Sequence, residues 1–545
     1  MQAKLAIRAI DRRPIFRYTK VIFALVACFM LLVSCNSQPK LPEQWNDSAQ
    51  PVNILPDYAE VTIPPNIAPL NFAVQGDSIT GCVAQISCPG GSHVYGDGRK
   101  VIIDANEWKE MLSRSIGQTL KVQVFTEVSG QWRKHPAFDI HIAPDSIDNY
   151  VSYRLIPPYN TYERISLCQR NLEDFEEVEY YNNQMLDTPE KGHCVNCHAF
   201  QNYRTERMQF HVREQYGGTI IYDHGQLGKY NMKLPETISN GVYPAWHPSL
   251  NLIAYSTNLP FLEVHTDGLT KSEVQDSESG LILYDAEHRR VIPICNESDL
   301  LETFPAWSPD GQWLYYSVAK FTFATDESST ASKEARLFRQ HDITERYRDV
   351  HYDIYRRSFD ATTLSFGEPE PVLLASADSL SATLPRISPD GRWLLTSIGN
   401  NGCFHVYHPE ADLYVTDLQA VPDSTKYLSD RVTCNSDVIG FTTPLTQANS
   451  DRAESYHNWS SNGRWIVFQS RRRDNNYTRL YFAWFDAEGN AHKAFELPQR
   501  DPDYELMHLN SYNIPEFTIE AVRTTPAQLA NSILSITIPL NNNTK

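Results

Sequence analysis

The chain is poor in positive charge. Its 545 residues carry 48 Lys and Arg against 66 Asp and Glu, a formal net charge of −18 with His neutral. Nucleic-acid binding needs cations to neutralise phosphates, so this balance excludes that partner class. It suits a basic protein partner or cations, or serves solubility alone. A membrane-spanning run is also missing: the apolar stretch 21–32 has twelve residues, where a bilayer needs about 20. Gly-x-Ser-x-Gly, His-Glu-x-x-His and a phosphate-binding loop are absent, so no motif supports hydrolase chemistry. Only one C-x-x-C occurs among the 10 Cys, whereas a zinc site built from such pairs wants a second. Apolar residues, by contrast, are plentiful. At 41% hydrophobic and 11% aromatic, the chain can build a large core, as several domains or as one large β-domain with a smaller companion.

The single pair reads Cys194-Val195-Asn196-Cys197-His198. C-x-x-C-H is the attachment pattern of c-type haem. Two thiols close together on a short turn add across the haem vinyl groups, and the next imidazole reaches the iron. The pattern predicts one covalent haem c, with Cys194 and Cys197 as thioethers and His198 as proximal ligand. No helical domain with a suitably spaced Met surrounds the motif, which leaves the distal ligand open. His247 is the first candidate, because it lies in a repeated turn one unit further on. Met208 and His211 are alternatives on the following strand, and a hydrogen-bonded turn role for His247 with five-coordinate iron is the plainer one. His193 shapes the haem edge or faces solvent.

The start of the chain carries Lys4, Arg8, Arg12, Arg13, Arg17 and Lys20 against Asp11, followed by the apolar run. That order reads as an export signal. It ends in Leu32-Val33-Ser34-Cys35, which resembles the lipobox of bacterial lipoproteins. The resemblance implies cleavage before Cys35, diacylglycerol on its thiol, and a membrane partner through that anchor. With Asn36 following, it implies the outer membrane, facing the periplasm. An exported chain also meets the oxidising environment that haem attachment and disulfides need. Cys82 with Cys88 and Cys403 with Cys434 are candidate pairs; Cys168 and Cys295 read as buried thiols.

Four turn units repeat. Pro244-Ala245-Trp246-His247-Pro248-Ser249 precedes 252–256, and Pro305-Ala306-Trp307-Ser308-Pro309-Asp310-Gly311 precedes 313–317. Pro385-Arg386-Ile387-Ser388-Pro389-Asp390-Gly391 precedes 393–397, and His457-Asn458-Trp459-Ser460-Ser461-Asn462-Gly463 precedes 465–470. Each is a strand, a tight turn and a second strand that is apolar on both faces. A further strand follows each, at 281–285, 353–357, 412–417 and 480–484, completing a four-stranded unit. The Trp-Ser-Pro-Asp-Gly core resembles the repeats of TolB-like and WD-type β-propellers over about 240–490. Two weaker units precede it, at 150–170 and 208–223. In the second of them Cys197-His198-Ala199-Phe200 stands where other units have Trp-Ser-Pro-Asp.

The expected fold is therefore all-β: a β-propeller of six blades, with seven as the alternative, preceded by a small β-rich domain. The divisions are a lipoprotein signal peptide at 1–34, a tether at 35–57, the small domain at 58–149, the propeller at 150–520 with its motif at 194–198, and a tail at 521–545. In the small domain, Asp104 and Glu107 form a capping box for a helix with Trp108, Met111, Leu112 and Ile116 on one face. Residues 120–127 and 137–143 alternate as strands, and 321–350 is a polar, charged loop. The functional expectation is electron transfer or redox sensing with a redox partner. The alternative is a TolB-like protein-binding scaffold; an enzyme has no positive motif. Replacing Cys35 by Ser should leave an uncleaved precursor or release the protein from the membrane fraction. A mutant still processed and still lipid-anchored would refute the lipobox assignment.

Overall fold

The computed structural model describes residues 39–158, 163–188, 192–265, 268–270, 272–324, 333–419 and 442–541. The leader, Cys28, Cys35 and Cys434 lie outside these residues. The structure is mostly β. No described helix is long and apolar enough to cross a membrane.

From residue 150 onward the strands fall into six successive groups: four are separate four-stranded antiparallel sheets, and the third and fourth are joined in one nine-stranded sheet. The second is His193–Gln201, Arg204–Glu214, Gly218–Asp223 and Gln226–Tyr230. The third is Val242–Trp246, Leu252–Val264, Ser272–Asp285 and Arg290–Cys295, and a single parallel bridge, Ser279 to Leu301, joins it to the fourth. The fourth is Leu300–Trp307, Trp313–Lys320, Tyr352–Asp360 and Glu370–Leu373. The fifth begins with Ser381–Ile387 and Trp393–Gly399, the sixth with Glu454–Trp459 and Trp465–Ser470. The first differs. Tyr150–Ile156, Ser166–Asn171 and Glu177–Asn182 take their fourth strand, Ser511–Thr518, from the far end of the chain. The leading strands touch in cyclic order, with Ser511–Thr518 between the second sheet and the sixth.

The turn after each leading strand explains the repeat. In the fourth sheet Ser308 Oγ donates to Asp310 Oδ1 at 2.5 Å and accepts from Trp313 N at 3.0 Å. Ser388 with Asp390 and Trp393, and Ser460 with Asn462 and Trp465, make the same pair of bonds. Gly311, Gly391 and Gly463 close these turns with φ of +71°, +75° and +67°, a region L side chains avoid. Each second strand is buried along nearly its whole length. Indoles fasten one sheet to the previous one. Trp246 Nε1 donates to Ala199 O at 3.3 Å, Trp307 Nε1 to Ala245 O at 3.1 Å, and Trp459 Nε1 to Arg386 O at 3.1 Å.

Residues 46–142 form a seven-stranded sheet and a three-stranded one. The helix Ala105–Arg114 is capped by Asp104, which accepts from Asn106 N and Glu107 N. Glu107 bonds Tyr95 at 2.6 Å. Trp108, Met111 and Leu112 are buried as expected, but Ile116 falls beyond the helix and is exposed. This module is not separately cored. Its apolar cluster runs on into Trp465, Phe482 and Phe495 of the sixth sheet and Tyr153, Tyr512 and Phe517 of the first. Asp145 accepts from both Trp465 Nε1 and Trp484 Nε1 at 3.2 Å.

Four expectations are corrected. The tether is ordered from residue 39: Asn46–Asp47 pairs with Arg133 and Lys134, and Trp45 packs on Phe125. The charged segment 321–350 contains a helix, Lys333–Arg346, whose Arg339 lies 3.7 Å from the Phe323 ring. The C-terminal region carries the capped helix Pro526–Leu534, with Leu529 and Ile533 buried beside Tyr180 and Phe210. Cys82 and Cys88 sit six positions apart on one strand, Ile79–Cys88, which separates them by about 20 Å and precludes a disulfide. Trp459 is 1% exposed, so Trp459→Phe should cost about 1–2 kcal/mol, mainly from leaving the Arg386 carbonyl unpaired. Urea denaturation checks this; an unchanged midpoint would refute the role given to the indole.

Candidate functional site

The six leading strands carry one four-residue segment each. In sheet order from the second these are Cys197-His198-Ala199-Phe200, Tyr243-Pro244-Ala245-Trp246, Phe304-Pro305-Ala306-Trp307, Leu384-Pro385-Arg386-Ile387, Tyr456-His457-Asn458-Trp459 and, in the first sheet, Ile514-Pro515-Glu516-Phe517. The first residue of every segment has a left-handed backbone, with φ of 53°, 49°, 52°, 56°, 45° and 50°. Strand pairing slips at that point in all six sheets. This is a β-bulge, which bends a strand and re-aims the side chains after it. Proline fits the second position of four segments, since a residue beside a bulge has no ladder partner for its N–H.

The bulges aim the third residues at a common space. A cavity of about 570 Å³ is lined by all six segments. Its wall is asymmetric. Ala199, Ala245 and Ala306 occupy three consecutive sheets, and Arg386, Asn458 and Glu516 occupy the other three. Apolar first-position residues back the cavity: the Tyr243 and Phe304 rings are 4.6 Å apart, and Phe404 packs 5.7 Å from Phe304.

The polar wall is electrostatically unusual. Glu516 Oε1 accepts from Phe200 N at 3.0 Å. Burial pushes its pKa up to about 8, against the pull of that N–H and of Arg386. Burial also lowers the Arg386 pKa, opposed chiefly by Glu516. Arg386 Nη1 donates to Pro385 O at 2.8 Å, and no carboxylate among the described residues forms an ion pair with the guanidinium. His198 is 2% exposed, and its ring nitrogens make no hydrogen bond of good geometry, with only the Ser152 backbone favouring its charged form. Burial, aided by the charge of Arg154, lowers its pKa to about 3, so the imidazole is neutral at physiological pH. Asn458 Oδ1 accepts from Trp459 N at 2.9 Å, which leaves its amide N–H groups for the cavity.

The haem motif does not have the geometry its pattern predicts. It lies on the strand His193–Gln201 and not on a turn; the turn is at Asn202 and Tyr203. Cys197-His198-Ala199-Phe200 therefore matches Tyr243-Pro244-Ala245-Trp246, the strand segment, and not Trp-Ser-Pro-Asp. The bulge separates the two thiols. Cys197 and His198 line the cavity, whereas Cys194 packs in the apolar cluster with Ile165, Tyr181 and Phe210. Burial raises the Cys194 pKa. Two thioethers to one porphyrin edge need both thiols on one exposed turn, so the residues present do not fit a c-type haem. The electron-transfer or redox-sensing function expected from the motif is accordingly set aside.

The proposed distal ligands are placed elsewhere. His247 Nε2 meets Gly311 O at 3.2 Å, and its Nδ1 accepts from Ser249 N and Leu250 N. It is a hydrogen-bonded turn residue, so close to the next sheet that a Cβ on Gly311 would lie 2.4 Å from its ring. Met208 is in the apolar cluster, and His211 Nδ1 is 3.2 Å from Thr219 Oγ1. His193 neither faces solvent nor the cavity; it is buried between Asp187, at 2.5 Å, and Tyr181, at 2.8 Å. Among the described residues no group of three or more His, Cys, Asp or Glu is arranged to hold a metal ion. Arg386, Asn458 and Glu516 were not singled out as functional residues in the sequence. The signal for the first two was there, in a repeat where Ala gives way to Arg and then Asn.

No family model matches the chain, and no curated protein does. Solved structures do. The tricorn protease is similar at 10% identity over 80% of this chain and 43% of its own, with a TM-score of 0.27. A study of two prolyl endopeptidases supplies a match at 11% identity over 65% and 42%, TM-score 0.31. The Dos1 propeller matches at 11% over 64% and 86%, TM-score 0.30. The chain spans under half the length of the two peptidases. These similar structures are peptidases and a propeller.

The two titrations have opposite consequences for stability. Glu516 is raised from its ordinary 4.5, so its contribution is complete below about pH 4.5 and is lost as pH rises through about 8. His198 is lowered from 6.5, so its contribution is present above that value and is lost as pH falls towards about 3. Denaturation midpoints measured from pH 5 to 9 should therefore fall less steeply for Glu516→Gln than for the wild type. Equal slopes would refute the raised carboxyl.

Proposed function

We propose that the described sheets form a six-bladed β-propeller that binds a small ligand at one end of its central channel. Six successive groups of antiparallel strands support the architecture, as does the cyclic contact of their leading strands. So does the return of Ser511–Thr518 to complete the first sheet, a device that joins the last blade to the first. The domain then runs from about 150 to 520, and the capped helix that follows it packs against the first and second blades. The lipobox-like leader supports export and a lipid anchor at Cys35, with the channel held in the cell envelope.

One observation carries the binding function: a cavity of ligand size into which six equivalent segments aim three alanines and three hydrogen-bonding side chains. A structural channel needs no such division, because identical small or apolar residues would pack each blade equally well. Binding, and not catalysis, is the activity proposed, since the wall holds no nucleophile paired with a base. Filling the empty half should abolish binding without disturbing the polar half. In a ligand panel read by thermal shift, compounds that stabilise the wild type should lose their effect on Ala245→Phe and Ala306→Phe. Saturating ligand at a hundredfold excess over Kd stabilises by about 2.7 kcal/mol, well within reach of the method. Stabilisation that persists in both variants would place binding elsewhere.

A further inference from the structure

We propose that this cavity, on the binding function above, takes a ligand bearing a single carboxylate on an apolar body. The carboxylate lies against Arg386 and Asn458, and the body lies over Ala199, Ala245 and Ala306. The argument starts from donors. Arg386 offers a planar fork with one of its N–H groups committed to Pro385 O, and Asn458 presents amide N–H groups because its carbonyl oxygen is used by Trp459 N. Glu516, already accepting from Phe200 N, presents a carboxylic acid while it is protonated. The wall is rich in donors and carries one desolvated positive charge without an ion-pair partner.

An enclosed cation without a counter-charge is costly, and a guanidinium matches a carboxylate in shape and in two parallel hydrogen bonds. The charge count sets the class. Arg204 also lines the cavity, but it is half-exposed and lies 3.6 Å from the Glu520 carboxylate, so Arg386 is the cation left without a counter-charge. One such cation balances one negative charge; a phosphate dianion would leave a second charge beside Glu516. Phosphate sites add further cations or a helix N-terminus, and the lining contains no helix end. The opposite half, three alanines with Trp246 and Trp307 beside them, is mainly apolar, with His198 and Ser308 as its polar members. The cavity therefore has a polar pole and an apolar pole, the two ends of an organic acid.

A free organic acid and the C-terminus of a peptide share this chemistry. Isothermal titration of the purified mature chain separates them, with 3-phenylpropionate and its amide as one pair, and N-acetyl-Ala-Ala-Phe and its C-terminal amide as the other. The expected result is that in at least one pair the acid binds tenfold or more tightly than the amide. The tighter acid identifies the source. Arg386→Gln should remove the preference, and Arg386→Lys, which keeps the charge without the fork, should retain part of it. The groups facing Glu516 are Arg386, Tyr180, Tyr203 and the Phe200 N–H. Its ionisation should weaken acid binding about tenfold per unit above pH 8, and Glu516→Gln should flatten that dependence. Equal binding of acid and amide, or an undiminished preference in folded Arg386→Gln, overturns the proposal. If neutral compounds of the thermal-shift panel bind in the cavity but neither acid does, the carboxylate class fails and the binding function stands. If no compound binds at all, both fail.

Discussion

A left-handed residue in each leading strand sets the geometry on which the rest depends. Placing a bulky side chain at positive φ costs of order 1 kcal/mol, and the leading strands do it six times with Cys, Tyr, Phe, Leu, Tyr and Ile. The return is directional. Without the slip in pairing, side chains would alternate strictly between the two faces of each sheet. With it, the first residue of every segment backs the channel and the third faces the cavity. The fourth, where it is Trp in the third, fourth and sixth sheets, reaches the carbonyl of the preceding sheet's third residue. Packing between sheets and the lining of the cavity are thus two results of one backbone distortion.

This coupling explains why the cavity wall is free to vary. The third residue contributes its carbonyl to the neighbour's indole, and its side chain is left over. Ala199, Ala245 and Arg386 all take part in the joint, because the joint uses only backbone from that position. The second position is more restricted, and its two departures from proline behave differently. His457 satisfies Nε2 on Leu395 O at 3.1 Å, whereas the ring nitrogens of His198 make no hydrogen bond of good geometry. The N-terminal module adds a second constraint by packing across the first and sixth sheets, where the two ends of the array meet.

Much of the fold was legible in the sequence. Ser-Pro-Asp-Gly turns and doubly apolar second strands are local patterns, and they marked four units directly. The strand Ser511–Thr518 was not recognised, because its partner lies hundreds of residues away and its turn signature is missing. The helix Lys333–Arg346 was hidden by composition: it buries only Ala335 and Ile343 as apolar side chains, and its arginines stack on Phe321 and Phe323. The site was misread for a physical reason. C-x-x-C-H is diagnostic only if the backbone turns, and a bulged strand can carry the same letters with its thiols on different sides. Arg386 and Asn458 were written in the repeats as departures from Ala, but their convergence with Glu516 required the three-dimensional ring.

The late strand has a kinetic corollary. Arg154 Nη2 donates to Asn513 Oδ1 at 2.7 Å, across 359 residues of sequence. Until that far segment emerges from the ribosome, the first sheet keeps a bare edge at Tyr150–Ile156, and the module packed on it lacks part of its core. Such high contact order slows folding, and the delay falls while the chain is being synthesised. The sheets before the late strand wait with an open edge, and this final strand acts as the latch that closes the ring of contacts once the whole sequence is available.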